Sequence, residues 1–313
     1  IAIDTIVALP FAKLRIEKKA KKFASIKITN IIITVGLNLF FFWFCADVHT
    51  GKHLSELQPF INSFYDPELG LGYAFLANLL SNALLIPFLY KELLQFRFTL
   101  DWAILQKLYK YAYPLVFSGL FFAVNELLDR LLLEAWLPTD FYANADNTAA
   151  VGIYSACYKL SIFISLAIQA YKYAAEPFFF GNANHKQNKE IFAQSAKYFI
   201  IATLAMFVGV SVNLDWLGGL FLRGEGFKEG LSVVPFLLMA NVCLGVYYNL
   251  SIWFKITDRT RFGAWIGGIG ALITLTANYF LIPILGYYGS AIATVCCYGS
   301  MMTMCYLLGQ KYY

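Results

Sequence analysis

Five long runs of the sequence contain no acidic or basic residue, and their length limits what the chain can fold into. They cover residues 28–46, 69–90, 198–214, 230–254 and 262–310. A helix needs about 20 consecutive apolar residues to cross the ~30 Å hydrocarbon layer of a membrane. The apolar residues in these runs are continuous and do not alternate with polar ones, which argues against strands of a membrane β-barrel. The runs therefore predict membrane-spanning α-helices.

The overall composition is also that of a membrane protein. Apolar residues make up 59% of the 313-residue chain and charged residues 14%, whereas a soluble domain carries roughly 25% charged residues. Residues 262–310 are too long for one span, and GYYG at 286–289 is a turn signal that divides them. Two further spans contain charged residues. We therefore predict an all-α, polytopic transmembrane helix bundle with eight complete spans, at 26–46, 70–90, 108–136, 149–176, 192–214, 231–255, 262–284 and 287–309.

Lysine and arginine are concentrated in alternate loops between these spans. The loop before the first span and every second loop after it contain 19 of them in total, and the intervening loops contain 3. Basic residues near span ends remain in the cytoplasm. The pattern predicts that both ends of the chain are cytoplasmic, with Lys186 inside and Asp146 outside. We interpret the basic run 18–22 as part of this signal, with anionic lipid or nucleic acid as alternative ligands, and we expect no nucleic-acid partner.

The first residues and a weak internal repeat predict the domain organisation. Residues 1–12 are mostly apolar and are expected to be the inner end of a helix, which indicates an N-terminally truncated sequence. IIITVGLNLFFF at 31–42 is similar to LITLTANYFLIP at 272–283, so Asn38 corresponds to Asn278, and a glycine-rich helix start follows each segment. The predicted domains are 1–100, which holds the tail of one helix and two full spans of a first lobe, and 101–313, a second lobe of six spans.

Several segments resemble one family of transporters in their order and spacing. They read PFAKLR at 10–15 with KAKKF at 19–23, YPLVFSG at 113–119 with NELLDR at 125–130, VGIYSACYK at 151–159, YKYAAEPFFF at 171–180 and GYYGSAIAT at 286–294. The chain therefore resembles the O-antigen and exopolysaccharide flippases of the multidrug/oligosaccharidyl-lipid/polysaccharide exporter superfamily, which is MATE-like.

This resemblance implies a fold and a function. The fold would be two lobes of six helices in a V around a central cavity, with the first helices missing here. The function would be to flip an undecaprenyl-pyrophosphate-linked oligosaccharide across the bacterial inner membrane, for lipopolysaccharide and other surface polysaccharide biosynthesis, by alternating access. Membrane lipids would be partners, and H+ or Na+ would be the coupling ion. No cofactor and no enzymatic activity are expected.

Three other functions compete with this one. A cation-coupled multidrug exporter of the same superfamily would more often have an acidic, aromatic cavity without a basic partner. A membrane-bound polysaccharide polymerase or ligase would need a catalytic constellation at a membrane face, and the longest outer loop, 47–69, offers none. A non-transporting scaffold or inactive remnant is the last alternative.

Charged residues within a span are costly in lipid and usually face a bundle interior or an aqueous cavity. Span 108–136 contains Asn125, Glu126, Asp129, Arg130 and Glu134. Positions 126, 130 and 134 share one helix face, with 129 beside it. These residues either form a buried salt-bridge cluster that includes an i,i+4 pair between Glu126 and Arg130, or leave Arg130 partly free to bind an anionic lipid head group.

Span 149–176 carries a polar stripe at helical spacing, which either lines an aqueous path or packs against another helix through hydrogen bonds. Lys159 requires water or a partner, with Glu126 and Asp129 as candidates, whereas Lys172 and Glu176 can snorkel to the cytoplasmic interface. The stripe consists of Ser155, Tyr158, Lys159, Ser165, Gln169, Lys172 and Glu176. The predicted substrate-binding cavity residues are Asn125, Glu126, Asp129, Arg130, Lys159, Gln169, Lys172 and Glu176, with Arg130 and Lys159 binding the anionic head group.

No metal site is predicted. His49 and His53 have i,i+4 spacing but share a short outer loop without an obvious third ligand. All six cysteines lie in apolar stretches without a CxxC pair, so they are interpreted as packing residues.

Overall fold

The chain is entirely helical in its regular structure. The computed structural model describes residues 2–51, 55–95, 101–139, 141–142, 146–181, 188–222 and 225–311. Within these residues every regular element is a helix and there is no β-strand, which confirms the predicted all-α class. Contacts between Cα atoms divide the chain into two compact units, Ile1–Leu100 (unit 1) and Asp101–Tyr313 (unit 2). Their assignment to two lobes of a longer transporter stays a prediction.

Unit 1 is organised around the packing of α2 against α5. Helix α2 continues through a π-helical turn at Phe40–Cys45 into α3. The rings of Phe41 and Tyr73 stack with their centroids 4.9 Å apart, which joins α5 to this turn. The helices of unit 1 are α1 (Ala2–Ile16), α2 (Ala20–Leu39), α3 (Ala46–His49), α4 (Gln58–Asn62), α5 (Gly72–Ala83), α6 (Leu85–Phe88) and α7 (Tyr90–Leu93).

An ion pair joins α2 to α7 at the basic end of unit 1. The ammonium group of Lys22 donates a hydrogen bond of 2.6 Å to Oε1 of Glu92, and Glu92 is only 6% exposed. This hydrogen bond lowers the pKa of the Glu92 carboxyl group, because it stabilises the charged form more than burial disfavours it. The ion pair therefore holds the start of α2 against α7, on the side that the sequence predicts to be cytoplasmic.

Unit 2 begins with the longest helix of the described residues, α8, which has 35 residues. The Asp101 side chain caps it by accepting hydrogen bonds from the backbone N–H groups of Ala103 and Ile104. Asp146 caps α9 in the same way. The helices of unit 2 are α8 (Trp102–Trp136), α9 (Asn147–Tyr158), α10 (Ile162–Gly181), α11 (Asn188–Val212), α12 (Leu214–Phe221), α13 (Val234–Leu250), α14 (Ile252–Ile256), α15 (Arg261–Leu285) and α16 (Tyr287–Gly309).

Helix α15 packs against both α8 and α16, and α13 packs against α16 and α11. Glycines on α15 let α8 approach closely, since a Cβ atom at Gly267 would lie only 3.3 Å from the Cβ atom of Phe121. Gly286, at φ +59°, makes the tight turn between α15 and α16. These contacts bring α8, α13 and α16 together around the polar side chains of α8.

Six segments of the described residues are long and apolar enough to span a membrane, and they correspond to six of the eight predicted spans. Predicted span 70–90 is interrupted, and its apolar part is the shorter Gly72–Phe88. Predicted span 108–136 lies within α8, which carries charges along its second half and is not among the six. The six are Ala20–His49, Asn147–Phe179, Glu190–Val212, Lys228–Ile256, Arg261–Leu285 and Tyr287–Gly309. The chain is thus a multi-pass helical membrane protein.

Candidate functional site

A cavity of about 540 Å³ lies inside unit 2, between α8, α10, α13, α14 and α16. Its volume is in the range of ligand-binding sites, roughly 300–1,000 Å³. Apolar and aromatic side chains make up much of the wall, with Phe122 and Phe254 among them. The polar side chains of the wall are Ser118, Glu126, Ser165, Gln169, Lys172, Asn241, Tyr247, Tyr248, Ser251 and Lys255. Three of the predicted site residues, at 126, 169 and 172, therefore line one cavity.

Glu126 projects from α8 into this cavity and is held by two tyrosines. The hydroxyl of Tyr158 donates a hydrogen bond of 2.7 Å to Oε1 of Glu126, and the hydroxyl of Tyr298 donates one of 3.1 Å to Oε2. The predicted i,i+4 ion pair between Glu126 and Arg130 is not formed, because the tyrosines occupy the carboxylate and the guanidinium group lies elsewhere. The sequence indicated the acidic residue but not its aromatic partners.

Arg130 lies over the ring of Tyr158, with its guanidinium carbon 4.6 Å from the ring centroid. Its Nε atom is buried and has no hydrogen-bond partner within the described part of the chain. Arg130 is not a lining residue of the 540 Å³ cavity. Its guanidinium group therefore retains an unused donor one helical turn from Glu126.

Lys159 begins the short 3₁₀ turn Lys159–Ser161 between α9 and α10. Its side chain is exposed and makes no ion pair with Glu126 or Asp129, the two partners that the sequence suggested. It is also absent from the cavity wall. Lys159 therefore lies apart from Gln169 and Lys172, which both line the cavity.

Asn125 and Asp129 lie in the helix packing of unit 2 and not in the cavity wall. Asn125 is 2% exposed and accepts a hydrogen bond of 3.2 Å from the hydroxyl of Thr274 on α15. Asp129 is 1% exposed and accepts one of 2.7 Å from the hydroxyl of Tyr154 on α9. Both side chains join helices through hydrogen bonds with hydroxyl groups, and not through the buried salt bridges that were the structural alternative for this cluster.

Two lysines face the cavity, one in the middle of α10 and one near the end of α14. Lys172 lies over the ring of Tyr248, with its Nζ atom 4.1 Å from the ring centroid. Lys255 Nζ donates a hydrogen bond of 2.9 Å to Oε1 of Glu176, which places Glu176 beside the cavity as the partner of Lys255. The sequence analysis did not predict Lys255 as a site residue. The signal that could have identified it is its position directly after the charge-free run 230–254, at the end of a span.

Neutral polar groups complete the wall. The hydroxyl of Ser165 donates to Oδ1 of Asn241 at 3.0 Å, which joins α10 to α13. Gln169 is exposed to the cavity one turn further along α10. Asn241 lies within the charge-free run 230–254, and an amide in such a run is a signal that sequence reasoning could have used.

The described residues contain no group of three or more His, Cys, Asp and Glu side chains that could hold a metal ion. His49 Nδ1 lies 2.7 Å from Oδ1 of Asn62, and His53 is outside the described residues. All six cysteines are free.

Neither a protein-family model nor a curated protein sequence matches the chain. One solved structure does match, the crystal structure of a MATE protein in its straight conformation, with a TM-score of 0.74 and 14% sequence identity over 97% of this chain. The fold is MATE-like. The chain spans 65% of the length of that MATE chain. This likeness confirms the predicted fold class, and the substrate has to be inferred from the residues of this MATE-like chain.

Proposed function

We propose that this MATE-like chain is part of a transporter that flips an undecaprenyl-pyrophosphate-linked oligosaccharide across the bacterial inner membrane by alternating access. The observation that carries the proposal is that Lys172 and Lys255 both line the cavity of unit 2. Ammonium groups bind phosphate as point charges in charge-assisted hydrogen bonds. The basic loops predict that the ends of α10 and α14 lie in the cytoplasm, where we expect an anionic lipid-linked substrate to be loaded.

The remaining cavity groups suit the sugar part of such a substrate. Ser118, Gln169 and Asn241 supply hydroxyl and amide groups that both donate and accept hydrogen bonds. Aromatic rings beside them offer apolar faces to sugar rings. The buried Nε atom of Arg130 lies without a partner in the described residues. We therefore propose that Arg130 and the exposed Lys159 contact the pyrophosphate at a later stage of transport.

Glu126 favours a second candidate function, a cation-coupled multidrug exporter. A carboxylate in a cavity that Phe122, Tyr248 and Phe254 also line would attract an organic cation through its charge, and the ring faces would add to this attraction. In the flippase, the same carboxylate would carry the coupling H+ or Na+. The two lysines distinguish the candidates, since they repel an organic cation and attract a pyrophosphate.

A pair of charge-removing variants tests the flippase. In cells whose surface glycan depends on this protein, Lys172→Gln combined with Lys255→Gln should reduce glycan export about 10-fold or more, because each lost charge-assisted hydrogen bond is worth roughly 1.5–3 kcal/mol. Protein abundance in the membrane should stay close to that of the unaltered protein. The matched control is Lys197→Gln, an exposed lysine of α11 outside the cavity, which should export normally.

The opposite pattern would reject the flippase. Unchanged glycan export in the double variant, together with loss of organic-cation efflux in Glu126→Gln, would favour the exporter. For the later contacts, Arg130→Ala should lower export at normal abundance. A collapse of abundance would instead assign Arg130 to packing against Tyr158.

A further inference from the structure

One carboxylate lies beside the two lysines of the cavity. Glu176, on α10, accepts a hydrogen bond of 2.9 Å from Nζ of Lys255 on α14. Lys172, one helical turn before Glu176, forms no ion pair within the described residues, and its ammonium group lies over the ring of Tyr248. Glu126, the other acidic residue of the wall, is bound by two tyrosines instead. At this end of the cavity the two lysines therefore share a single carboxylate.

The space on the Glu176 side of the ion pair is filled. A cavity of about 10 Å³, the size of one water molecule, lies between Glu176, Lys255 and their neighbours Tyr171 and Ile252. It has no room for a phosphate group. On its other side Lys255 lines the 540 Å³ cavity, whereas Glu176 is not part of that wall. An anionic ligand therefore reaches Lys255 from the large cavity, while Glu176 binds the same ammonium group from behind.

The ion pair makes the empty cavity less costly. A lysine inside a membrane bundle needs a compensating charge, water or a ligand. Glu176 compensates the charge of Lys255 directly, whereas Lys172 has only the face of an aromatic ring. Two anionic groups on one ammonium group repel each other, so a phosphate on Lys255 weakens the bond to Glu176. A substrate phosphate and the Glu176 carboxylate thus compete for one lysine.

The alternative role of Glu176 is a fixed link between α10 and α14. These helices are already held together by apolar packing, since Ala175 and Phe179 of α10 form a buried cluster with Ile252 of α14. The ion pair itself is partly accessible, with the side chains of Lys255 and Glu176 21% and 31% exposed. The helices can therefore stay packed while the ion pair opens, which favours exchange over a fixed link.

We propose that Glu176 is an exchangeable counter-ion of Lys255. It binds Lys255 in the empty cavity, is displaced by a phosphate of the head group, and binds Lys255 again when the head group leaves. This inference rests on the proposed function, because it requires an anionic substrate. Its effect is to weaken binding, since each bound head group has displaced a carboxylate, and the head group is released more easily. Glu176 thus sets the affinity of the cavity and is not a contact of the substrate.

Binding of undecaprenyl pyrophosphate to the purified full-length protein in detergent tests the exchange. Glu176→Gln keeps the size of the side chain and removes its charge, so it should raise the affinity about 5–10-fold, allowing for the partial exposure of the pair. The gain should appear mainly as slower dissociation. The matched control is Glu190→Gln, an exposed glutamate of α11 outside the cavity, which should bind as the unaltered protein does. An unchanged or lower affinity in Glu176→Gln would overturn the proposal.

A double-mutant cycle connects the gain to Lys255. In a Lys255→Gln background, Glu176→Gln should change the affinity less than about 2-fold, because no ammonium group remains for the carboxylate to occupy. An equal gain in both backgrounds would show that Glu176 acts only through its general negative charge, and would reject exchange at Lys255. A fixed link predicts a different result, in which Glu176→Gln lowers both the thermal stability and the affinity.

The same binding measurements separate this inference from the proposed function. If the combined Lys172→Gln and Lys255→Gln variant loses undecaprenyl pyrophosphate while Glu176→Gln binds it as before, the exchange is wrong and the proposed function stands. If the lysine variant binds the lipid as tightly as the unaltered protein does, the lysines do not hold the head group. In that case the proposed function fails, and the exchange fails with it.

Discussion

At the scale of single residues, two acidic side chains three positions apart on α8 have different surroundings. Asp129 is enclosed between helices and bound by Tyr154, whereas Glu126 reaches the cavity and is bound by Tyr158 and Tyr298. At about 100° per residue, three positions leave the two side chains about 60° apart around the axis of α8. Only Glu126 is therefore placed to meet a substrate or a coupling ion, and Asp129 is placed to hold α8 against α9.

Removing the hydroxyl that binds Asp129 should weaken the fold. Tyr154→Phe leaves Oδ2 of the buried Asp129 carboxyl group without a donor, while Oδ1 keeps the backbone N–H of Arg130. We therefore expect the free energy of unfolding to fall by about 1–3 kcal/mol. Thermal unfolding of the purified protein in detergent measures the change. Tyr306→Phe is the control, because Tyr306 is 51% exposed, and it should unfold as the unaltered protein does. If Tyr154→Phe unfolds at the same temperature as the unaltered protein, the hydrogen bond contributes nothing to stability.

The ion pair of unit 1 should make its stability depend on pH. The pKa of Glu92 is lowered from 4.5 by the hydrogen bond from Lys22, so its contribution is fully present above about pH 4.5 and is lost as the pH falls through the folded-state pKa. Glu92→Gln should therefore unfold at a lower temperature than the unaltered protein at neutral pH. The difference should shrink in acid. A difference that is constant with pH would contradict this role of the carboxylate.

At the scale of helices, the close contact between α15 and α16 depends on a glycine next to the turn. A Cβ atom at Gly289 would lie 2.4 Å from the backbone oxygen of Leu281, which cannot move without displacing α15. The side of α16 that carries Gly289 therefore rests directly on the last turns of α15. No atom lies within 4 Å of the equivalent position at Gly299.

This contrast gives a matched pair of substitutions on one helix. Gly289→Ala should lower the free energy of unfolding by about 1–3 kcal/mol, as overpacking does in a well-packed core. Gly299→Ala should be neutral or stabilising by about 0.5–1 kcal/mol, because alanine loses less conformational freedom in a helix. Thermal unfolding in detergent compares them. Equal effects of the two substitutions would mean that the two helices can separate freely at the turn.

At the scale of the whole molecule, the basic residues predict the orientation in the membrane. Asp146 caps α9, at the end of the unit 2 bundle where the loops carry few basic residues. Lys186 belongs to the opposite set of loops and is outside the described residues. The pattern predicts that the two positions lie on opposite sides of the membrane.

Labelling of single cysteines in intact cells checks this orientation. In a cysteine-free background, a membrane-impermeant thiol reagent should label Asp146→Cys and should leave Lys186→Cys unlabelled until the membrane is opened. Both variants should be labelled in permeabilised cells, which controls for their intrinsic reactivity. Labelling of Lys186→Cys in intact cells would reverse the predicted topology.

The sequence by itself determined the class of the protein and six of its spans. Charge-free runs of about 20 residues are a local property, and in a membrane they have few alternatives to a helix, because backbone groups must form their hydrogen bonds within the segment. The repeat around Asn38 and Asn278 could be recognised for the same reason, since it is carried by neighbouring residues. The interrupted helices of 70–90 could not be foreseen from apolarity, which continues through the interruption.

Only the tertiary structure decided which polar side chains meet. Helical spacing placed Glu126 and Arg130 on one face. In the structure, however, Glu126 accepts hydrogen bonds from Tyr158 and Tyr298, which come from two other helices. On the polar stripe of α9 and α10, Lys172 faces the cavity and Lys159, at the start of a 3₁₀ turn, does not. The partner of a polar group in a membrane bundle is set by the rotation and packing of distant helices. The sequence shows that a buried polar group needs a partner, but the tertiary structure decides which residue that partner is.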